Sequence, residues 1–286
     1  MVGQRLHLIF RHRVGSRDGR CLSSEDVVAA FRSDVQLAVL PAVLFTSGQL
    51  LDLAALTSAA HARGILIGFD CSHSIGAVPH AFDRDGVDFA FWCNYKYLNA
   101  GPGAIGGLYL NRRHFGRAPG LAGWWAVRPD RRFAMPATHE PADGAAALHV
   151  GTPPILSLAP LLGSLELIAE AGGVGALRAK SLHQTQLLMD LVDRRLAAHG
   201  FTVANPRDPA ARGGHVAPVH PDGWRICQTL KAAGVVPDFR APDLIRLAPS
   251  PLYTRDDECV ETVARLEQIM IGRVHEGFEA APALVP

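Results

Sequence analysis

Two charged side chains follow two apolar segments of the sequence, and together they could do carbonyl chemistry. Asp70 ends the segment GILIGFD (64–70), and Lys96 follows the segment DFAFWCN (88–94) between Tyr95 and Tyr97. A desolvated lysine is a competent amine nucleophile for a Schiff base. Pyridoxal phosphate needs such a lysine for its aldehyde and a carboxylate for its pyridinium nitrogen. The two residues lie about two dozen positions apart, each at the end of a predicted strand, and this favours a pyridoxal-phosphate site.

Each of these residues also has an ordinary structural interpretation. Asp70 could cap the segment that follows it, since aspartate is a good helix N-cap. His73, three residues further on, could be a hydrogen-bonded polar residue with no ligand. Lys96 could be a surface lysine at a strand end. The pairing of acid and lysine favours the chemical interpretation over these.

Other motifs point less clearly to a function. The run GPGAIG (101–106) matches GxGxxG, but it leads into the predicted strand GGLYLN and not into a helix, so it does not predict a dinucleotide site. Trp124 and Trp125 are adjacent in an irregular stretch, where at least one contacts a ligand or a second subunit, or both simply pack in the core. Arg246 interrupts an apolar run and is suited to a substrate carboxylate, or to an exposed strand face. Cys71, His73 and Cys93 lack the paired spacings of a zinc site, so no metal is expected.

Composition excludes several classes of protein. The 28 Lys and Arg residues nearly cancel the 27 Asp and Glu residues, for a net charge of +1, which argues against a nucleic-acid partner. No apolar run reaches the length of a membrane span. Arg5, Arg11 and Arg13 interrupt the first apolar pattern, so no secretory signal is expected and a cytoplasmic location is favoured. Five scattered cysteines do not suggest a disulfide framework.

The elements that would position these side chains follow an α/β pattern. Strands are expected at 35–45, 64–70, 88–94 and 106–111, with a helix at 51–63. Long helices are expected at 156–170 and 174–199, and a last helix near Thr254, capped by its hydroxyl with Asp257 three residues on. Strands are also expected at 201–219, 235–238 and 244–247. We therefore predict a cofactor-binding domain over 1–155, linking helices over 156–199, and a small C-terminal α+β domain over 200–286.

Five segments in sequence order resemble the kynureninase family. They are FDCSHSIGAVPH (69–80), GVDFAFWCNYKYLNAGPGAIGG (86–107), LAGWW (121–125), TPPILSLAPLLGSLELI (152–168) and RLAPSPLY (246–253). The resemblance implies the pyridoxal-phosphate-dependent fold type I: a mostly parallel, seven-stranded sheet flanked by helices, a smaller C-terminal α+β domain, and a homodimer. It also implies that the N-terminal part of the family's large domain, which carries the phosphate cradle, is absent from this sequence. Apolar faces that this part covers are then expected to be exposed.

The resemblance also implies roles for individual residues. Lys96 would carry the cofactor, Tyr95 would bind its phosphate and help to move protons, and Asp70 would pair with the pyridine nitrogen beside His73. Trp124 would reach the phosphate region of a neighbouring site, and Thr152 occupies a further cofactor-contacting position. Arg246 would bind the substrate's α-carboxylate.

The implied reaction is hydrolysis of the Cβ–Cγ bond of L-kynurenine or 3-hydroxykynurenine, giving the corresponding anthranilate and L-alanine in tryptophan catabolism and NAD biosynthesis. Two alternatives remain: another fold type I enzyme of the desulfurase or lyase kind, in which Cys71 and Cys93 would matter, or an inactive, scaffold-like chain.

Overall fold

A four-stranded sheet forms the first half of the molecule. The computed structural model describes residues 14–16, 19–135 and 137–279, so the basic residues of the first apolar pattern lie outside the described part. The strands are β1 (Leu37–Pro41), β2 (Leu66–Asp70), β3 (Phe89–Cys93) and β4 (Gly106–Leu110), in the order β1-β2-β3-β4. The first three are parallel and β4 runs antiparallel to β3. All four expected strands are present, each shorter than predicted, and within the described residues this sheet has four strands where the resemblance implies seven.

One face of this sheet is covered by helices. Helix α1 is Ser24–Ala29, and helix α2 is Leu53–His61. The Asp52 carboxylate caps α2 by accepting a hydrogen bond from the Ala55 amide at 2.9 Å. Leu56 of α2 is fully buried in one cluster with Ile67 and Phe69 of β2. The crossover between β1 and β2 therefore packs on the sheet, as parallel strands require.

The opposite face of the sheet is exposed. The strand register places Leu37, Val39, Leu66, Phe91 and Leu108 on this face, with exposed fractions between 37% and 51%. We call these five side chains the bare face. The exposed apolar surface that the sequence predicts is thus confirmed for this sheet.

Two long helices connect the halves of the molecule. Helix α3 is Ile155–Glu170 and helix α4 is Gly173–Leu191. Gly172 lies just before α4 and Gly173 begins it, with φ angles of +90° and +77°, a backbone conformation that favours glycine. In the described part of the chain no single helix is long and apolar enough to cross a bilayer, although the bent pair 155–170 and 173–199 has the length and composition together.

A second, smaller sheet follows the helices. Its strands are β5 (Thr202–Val203), β6 (Pro218–Val219), β7 (Asp238–Arg240) and β8 (Leu244–Arg246), and they pair antiparallel in the order β5-β6-β8-β7. The prediction of one strand over 201–219 was wrong: a long loop with a 3₁₀ turn at Pro209–Ala211 separates two short strands. The strand predicted over 235–238 begins only at Asp238, after the turn at Gly234.

Helices α5 (Gly223–Ala232) and α6 (Asp256–Ile271) close the second half around its own core. Sequence reasoning missed α5. The predicted cap of α6 was also wrong, because the Thr254 hydroxyl accepts a hydrogen bond from the Ser250 amide at 3.0 Å. Glu258 instead accepts from the amide of Arg255, the N-cap residue, at 2.8 Å. The two halves have separate cores, and the predicted domain limits stay predictions.

Candidate functional site

Asp70 and Lys96 lie at the same edge of the first sheet. Asp70 is the last residue of β2, and Lys96 comes three residues after the end of β3. Because β2 and β3 are parallel neighbours, their carboxyl ends meet at one edge, where open α/β sheets bind ligands. One Asp70 carboxylate oxygen accepts a hydrogen bond from the Ser72 amide at 2.9 Å, so Asp70 also orders the turn that follows it.

A buried asparagine stabilises the turn that carries Lys96. Asn94 is 2% exposed; its amide nitrogen donates to the Ile105 carbonyl at 2.6 Å and its oxygen accepts from Trp92 Nε1 at 2.9 Å. The Lys96 carbonyl accepts from the Asn99 amide at 2.9 Å, closing the turn. These contacts fix the backbone of Lys96, and the sequence alone carries no signal for Asn94 beyond its place next to Tyr95.

The Lys96 amine has no charged partner among the described residues. Nζ lies 5.5 Å from the centre of the Tyr95 ring, and within that part of the chain it makes no hydrogen bond or ion pair. Tyr95 is half-exposed, and a hydrogen bond with the Cys93 side chain is the main cause that raises its pKa. An amine without a carboxylate partner is available for covalent chemistry.

Arg246 reaches the same place from the second half of the chain. It ends β8, and its Nη1 donates to the Phe45 carbonyl at 2.7 Å. Its Nη2 donates to the Asp238 carboxylate directly across the β7–β8 pair. The Arg246 side chain is 12% exposed. Arg246 therefore does not lie on an exposed strand face, the alternative that the sequence left open.

A cavity of about 320 Å³ brings the two sets of residues together. Its lining includes His73, Tyr95 and Lys96 from the first half and His215, Asp238 and Arg246 from the second. Sequence reasoning missed His215 and Asp238, because neither stands in a pattern that marks it out. The only signal for Asp238 was its place at the end of a predicted strand.

Both histidines of the cavity are uncharged near neutral pH. Burial, with the positive charges of Lys96 and Arg246 next, lowers the pKa of His73 to about 4. Burial, with Arg246 and His73 next, lowers the pKa of His215 to about 3. Their rings lie edge to face with centres 6.1 Å apart. Neutral imidazoles can donate or accept hydrogen bonds here without adding charge.

Three predicted site residues do not line this cavity. Asp70 lies near enough for its charge to act on the pKa of His73, whereas Trp124 and Thr152 lie on a separate loop. Trp124 is 48% exposed on the loop between β4 and α3, where it packs edge to face on Trp125, and the Arg132 guanidinium lies 3.9 Å from the Trp125 ring centre. Thr152 is exposed on the same loop. Within this single chain the structure does not bring them to Lys96, and their cofactor contacts stay predictions.

The glycine-rich run before β4 is a loop, as the sequence predicts. Gly101 and Gly103 have φ angles of +83° and +76°, and an added Cβ at either would meet no atom within 4 Å. The run leads into β4 and not into a helix. No group of three or more His, Cys, Asp or Glu side chains in the described residues is placed to hold a metal ion.

Sequence comparisons relate the chain to kynureninases. The model of the kynureninase C-terminal domain matches residues 177–266. The kynureninase of Geobacillus thermodenitrificans is 53% identical over 272 residues, and that of Bacillus anthracis is 51% identical over 273. These alignments cover 95% and 96% of this chain, and 63% of each relative. The chain therefore spans less than two thirds of the length of the curated relatives it matches.

Solved structures give the fold. A C-DES variant with glycine covalently linked to its PLP cofactor superposes with a TM-score of 0.73 at 24% identity, covering 85% of this chain and 63% of that one. An apo cysteine desulfurase from Thermococcus onnurineus NA1 gives 0.72 at 17% identity, covering 87% and 63%. The predicted fold type I architecture is confirmed. The sequence comparisons add that the chain is similar to kynureninases over nearly its whole length.

Proposed function

We propose that this chain carries the lysine-bearing half of a pyridoxal-phosphate site that cleaves L-kynurenine to anthranilate and L-alanine. The observation that carries the proposal is the cavity, which joins a lysine amine from one half of the chain to an arginine from the other. The relatives that are about half identical over nearly the whole chain are named kynureninases, which supports the substrate.

The residues present fit the cofactor. Lys96 Nζ lacks a partner among the described residues and would carry it, and Asp70 would pair with its ring nitrogen. Tyr95 and His73 flank the lysine in the cavity. Buried polar atoms of two further lining residues, His215 Nε2 and Ser250 Oγ, have no hydrogen-bond partner in the described chain, as expected where a polar ligand completes a site.

The chain's own residues then have distinct tasks. When bound, the cofactor supplies an electron-withdrawing ring that stabilises negative charge at the substrate's α-carbon. Lys96 Nζ accepts the proton from that carbon, as a positioned general base does. Arg246 orients the substrate by binding its carboxylate. Neutral His73 offers a hydrogen-bonding ring beside the lysine without repelling the positive charges around it.

A desulfurase activity is less well supported. A persulfide-forming cysteine must be an accessible thiolate. Cys71 is fully buried, and burial is the main cause that raises its pKa to about 12. The desulfurase names among the solved structures belong to relatives under 25% identical, so they support the fold only.

The first experiment is cofactor labelling. Purified protein is mixed with pyridoxal phosphate, reduced with borohydride, and mapped by peptide mass spectrometry. We expect the label on Lys96, its loss in Lys96→Ala, and its retention in Lys231→Ala, a control at an exposed helix position. Absence of a label on Lys96 in protein shown to be folded would overturn the cofactor assignment.

The second experiment tests the substrate. Protein mixed with pyridoxal phosphate is compared before and after borohydride reduction. The assay follows the release of fluorescent anthranilate from L-kynurenine, with 3-hydroxykynurenine as a parallel substrate. We expect release by the unreduced protein, and a fall of about 10²- to 10⁴-fold in Lys96→Ala, the range for loss of a general base. Cofactor capture without any anthranilate would rule out this reaction for the chain alone.

We also propose a cytoplasmic homodimer. Cys71, Cys93, Cys227 and Cys259 form no disulfide among the described residues, which supports a reducing compartment, and the exposed Trp124 loop could contact a second copy. Sedimentation at several concentrations tests the dimer: a single monomer species throughout would contradict it.

A further inference from the structure

The charges around the cavity nearly cancel. Lys96, Arg240 and Arg246 are positive, while Asp70 and Asp238 are negative. His73 and His215 are neutral because burial, as the main cause, lowers the pKa of each, to about 4 and about 3. Among the residues that line the cavity, Asp238 is the one carboxylate, beside the cations Lys96 and Arg246.

Asp238 is the residue that sets this balance. It lies opposite Arg246 in the β7–β8 register and accepts from Arg246 Nη2. The same carboxylate oxygen forms an ion pair with Arg240 at 3.0 Å, so two guanidinium groups share one carboxylate. The Arg240 guanidinium in turn lies over the Phe45 ring. The backbone carbonyl of Phe45 accepts a hydrogen bond from Arg246 Nη1 at 2.7 Å. Asp238 is thus held in place from two sides.

Asp238 also faces the space that a ligand would use. It lines the cavity together with Lys96 and Arg246, and its side chain is 42% exposed. A ligand carboxylate on Arg246 would bind a guanidinium that already donates to Asp238. A second carboxylate on the same ligand would meet the Asp238 charge, and juxtaposed like charges discriminate strongly between ligands.

We propose that Asp238 is a specificity-determining residue that restricts this cavity to ligands with a single carboxylate. The proposal rests on the proposed function, because it takes Arg246 as the carboxylate-binding group. It adds a repulsive element, since Asp238 excludes acidic amino acids by the same contact that holds Arg246.

The test compares two amino acids that differ by one carboxylate. Protein loaded with pyridoxal phosphate is titrated calorimetrically with L-alanine and with L-aspartate, and the ratio of the aspartate to the alanine Kd is the readout. We expect Asp238→Asn to lower this ratio about tenfold or more, as removal of a like-charge contact does. Asp257→Asn is the matched control, because Asp257 also binds an arginine, Arg255 at 2.9 Å, but on the exposed start of α6.

Further variants keep the outcomes distinct. Asp238→Ser repeats the test if Asp238→Asn does not fold. If Arg246→Ala abolishes alanine binding while the ratio in the Asp238 variants equals that of the wild type, the Asp238 proposal alone fails. If Arg246→Ala binds alanine like the wild type, or if the wild type binds neither amino acid, the carboxylate role of Arg246 fails and the Asp238 proposal fails with it.

Discussion

The two halves of the molecule differ in how completely they bury their own apolar surface. Within the described residues, the sheet β1–β4 has helices on one face only, and the bare face leaves Leu37 and Val39 about half exposed. The small sheet β5–β8 is packed under α4, α5 and α6, with Ile245 and Leu266 fully buried. Parallel sheets are ordinarily covered on both faces, whereas an antiparallel sheet can be stable with one.

The candidate site residues at the sheet edge and the better-buried core therefore lie in different halves of the molecule. The half that carries Asp70 and Lys96 is the one whose sheet remains open, and the half that carries Arg246 has the closed core. We therefore expect the second half to resist unfolding more than the first. Three substitutions test that contrast.

The largest effect is expected in the closed core. Leu266→Ala removes a fully buried side chain from α6 and should lower the free energy of unfolding by about 2–5 kcal/mol, because the cavity it leaves cannot fully collapse. Urea denaturation followed by circular dichroism measures it. Val260→Ala, 40% exposed on the same helix, is the control and should cost about 1 kcal/mol or less. If Leu266→Ala and Val260→Ala lowered the free energy of unfolding equally, the α6 core would contribute no more to stability than the exposed surface of that helix.

An intermediate effect is expected at the buried carboxylate of the first half. Asp88 is 2% exposed and accepts hydrogen bonds from His61 Nε2 at 2.9 Å, His114 Nε2 at 2.6 Å and the Ile67 amide at 2.8 Å. Asp88→Asn keeps the shape of the side chain but replaces one carboxylate oxygen, which accepts hydrogen bonds, by an amide nitrogen, which donates them. The free energy of unfolding at pH 7, measured by urea denaturation, should therefore fall by about 1–3 kcal/mol.

The same site predicts a pH dependence. Burial raises the pKa of Asp88, but hydrogen bonds from His61, Ile67 and His114 outweigh it, and the net pKa is lowered. A lowered carboxyl pKa stabilises the folded state above the unfolded pKa of about 4, and the contribution is lost as the pH falls through the folded value. The cost of Asp88→Asn should therefore shrink between pH 7 and pH 3.

A second carboxylate provides the control for this pH dependence. Asp130 pairs with Arg128 at 2.9 Å, but both side chains are exposed. Because solvent screens such a pair, the cost of Asp130→Asn should be small at every pH. An Asp88→Asn cost that stays constant with pH would show that the Asp88 network does not act through charge.

The smallest effect is expected on the bare face. Leu37→Ser removes a half-exposed side chain and should change the free energy of unfolding by about 0.5 kcal/mol or less. It should also reduce light scattering at high protein concentration, because exposed apolar patches favour association. Ile67→Ser, buried on the opposite face of the sheet, is the matched control and should be strongly destabilising. If Leu37→Ser destabilises the protein as Ile67→Ser does, the face is covered in solution.

The sequence predicted the sheet edge better than it predicted what completes the site. Asp70 and Lys96 could be found because each follows a continuous apolar run, which predicts a buried strand and the position of its end. Arg246 could be found because a guanidinium inside an apolar run needs a partner.

Asp238 and His215 could not be found in this way. Their roles depend on contacts with Arg246 and His73, and no local pattern encodes which loops a distant strand will meet. The prediction of the α6 cap was wrong for a related reason. Threonine is a suitable cap residue, but the Thr254 hydroxyl instead accepts a hydrogen bond from the Ser250 amide in the preceding turn.

The hydrogen bond between Arg246 and the Phe45 carbonyl joins residues 201 positions apart. At a synthesis rate of about 5–20 residues per second, about 10–40 s pass between the addition of Phe45 and that of Arg246. Throughout most of that interval Lys96 already exists on the nascent chain, while the guanidinium that would orient a ligand has not been made. Cofactor captured during translation would therefore meet an amine before the chain could recognise a substrate.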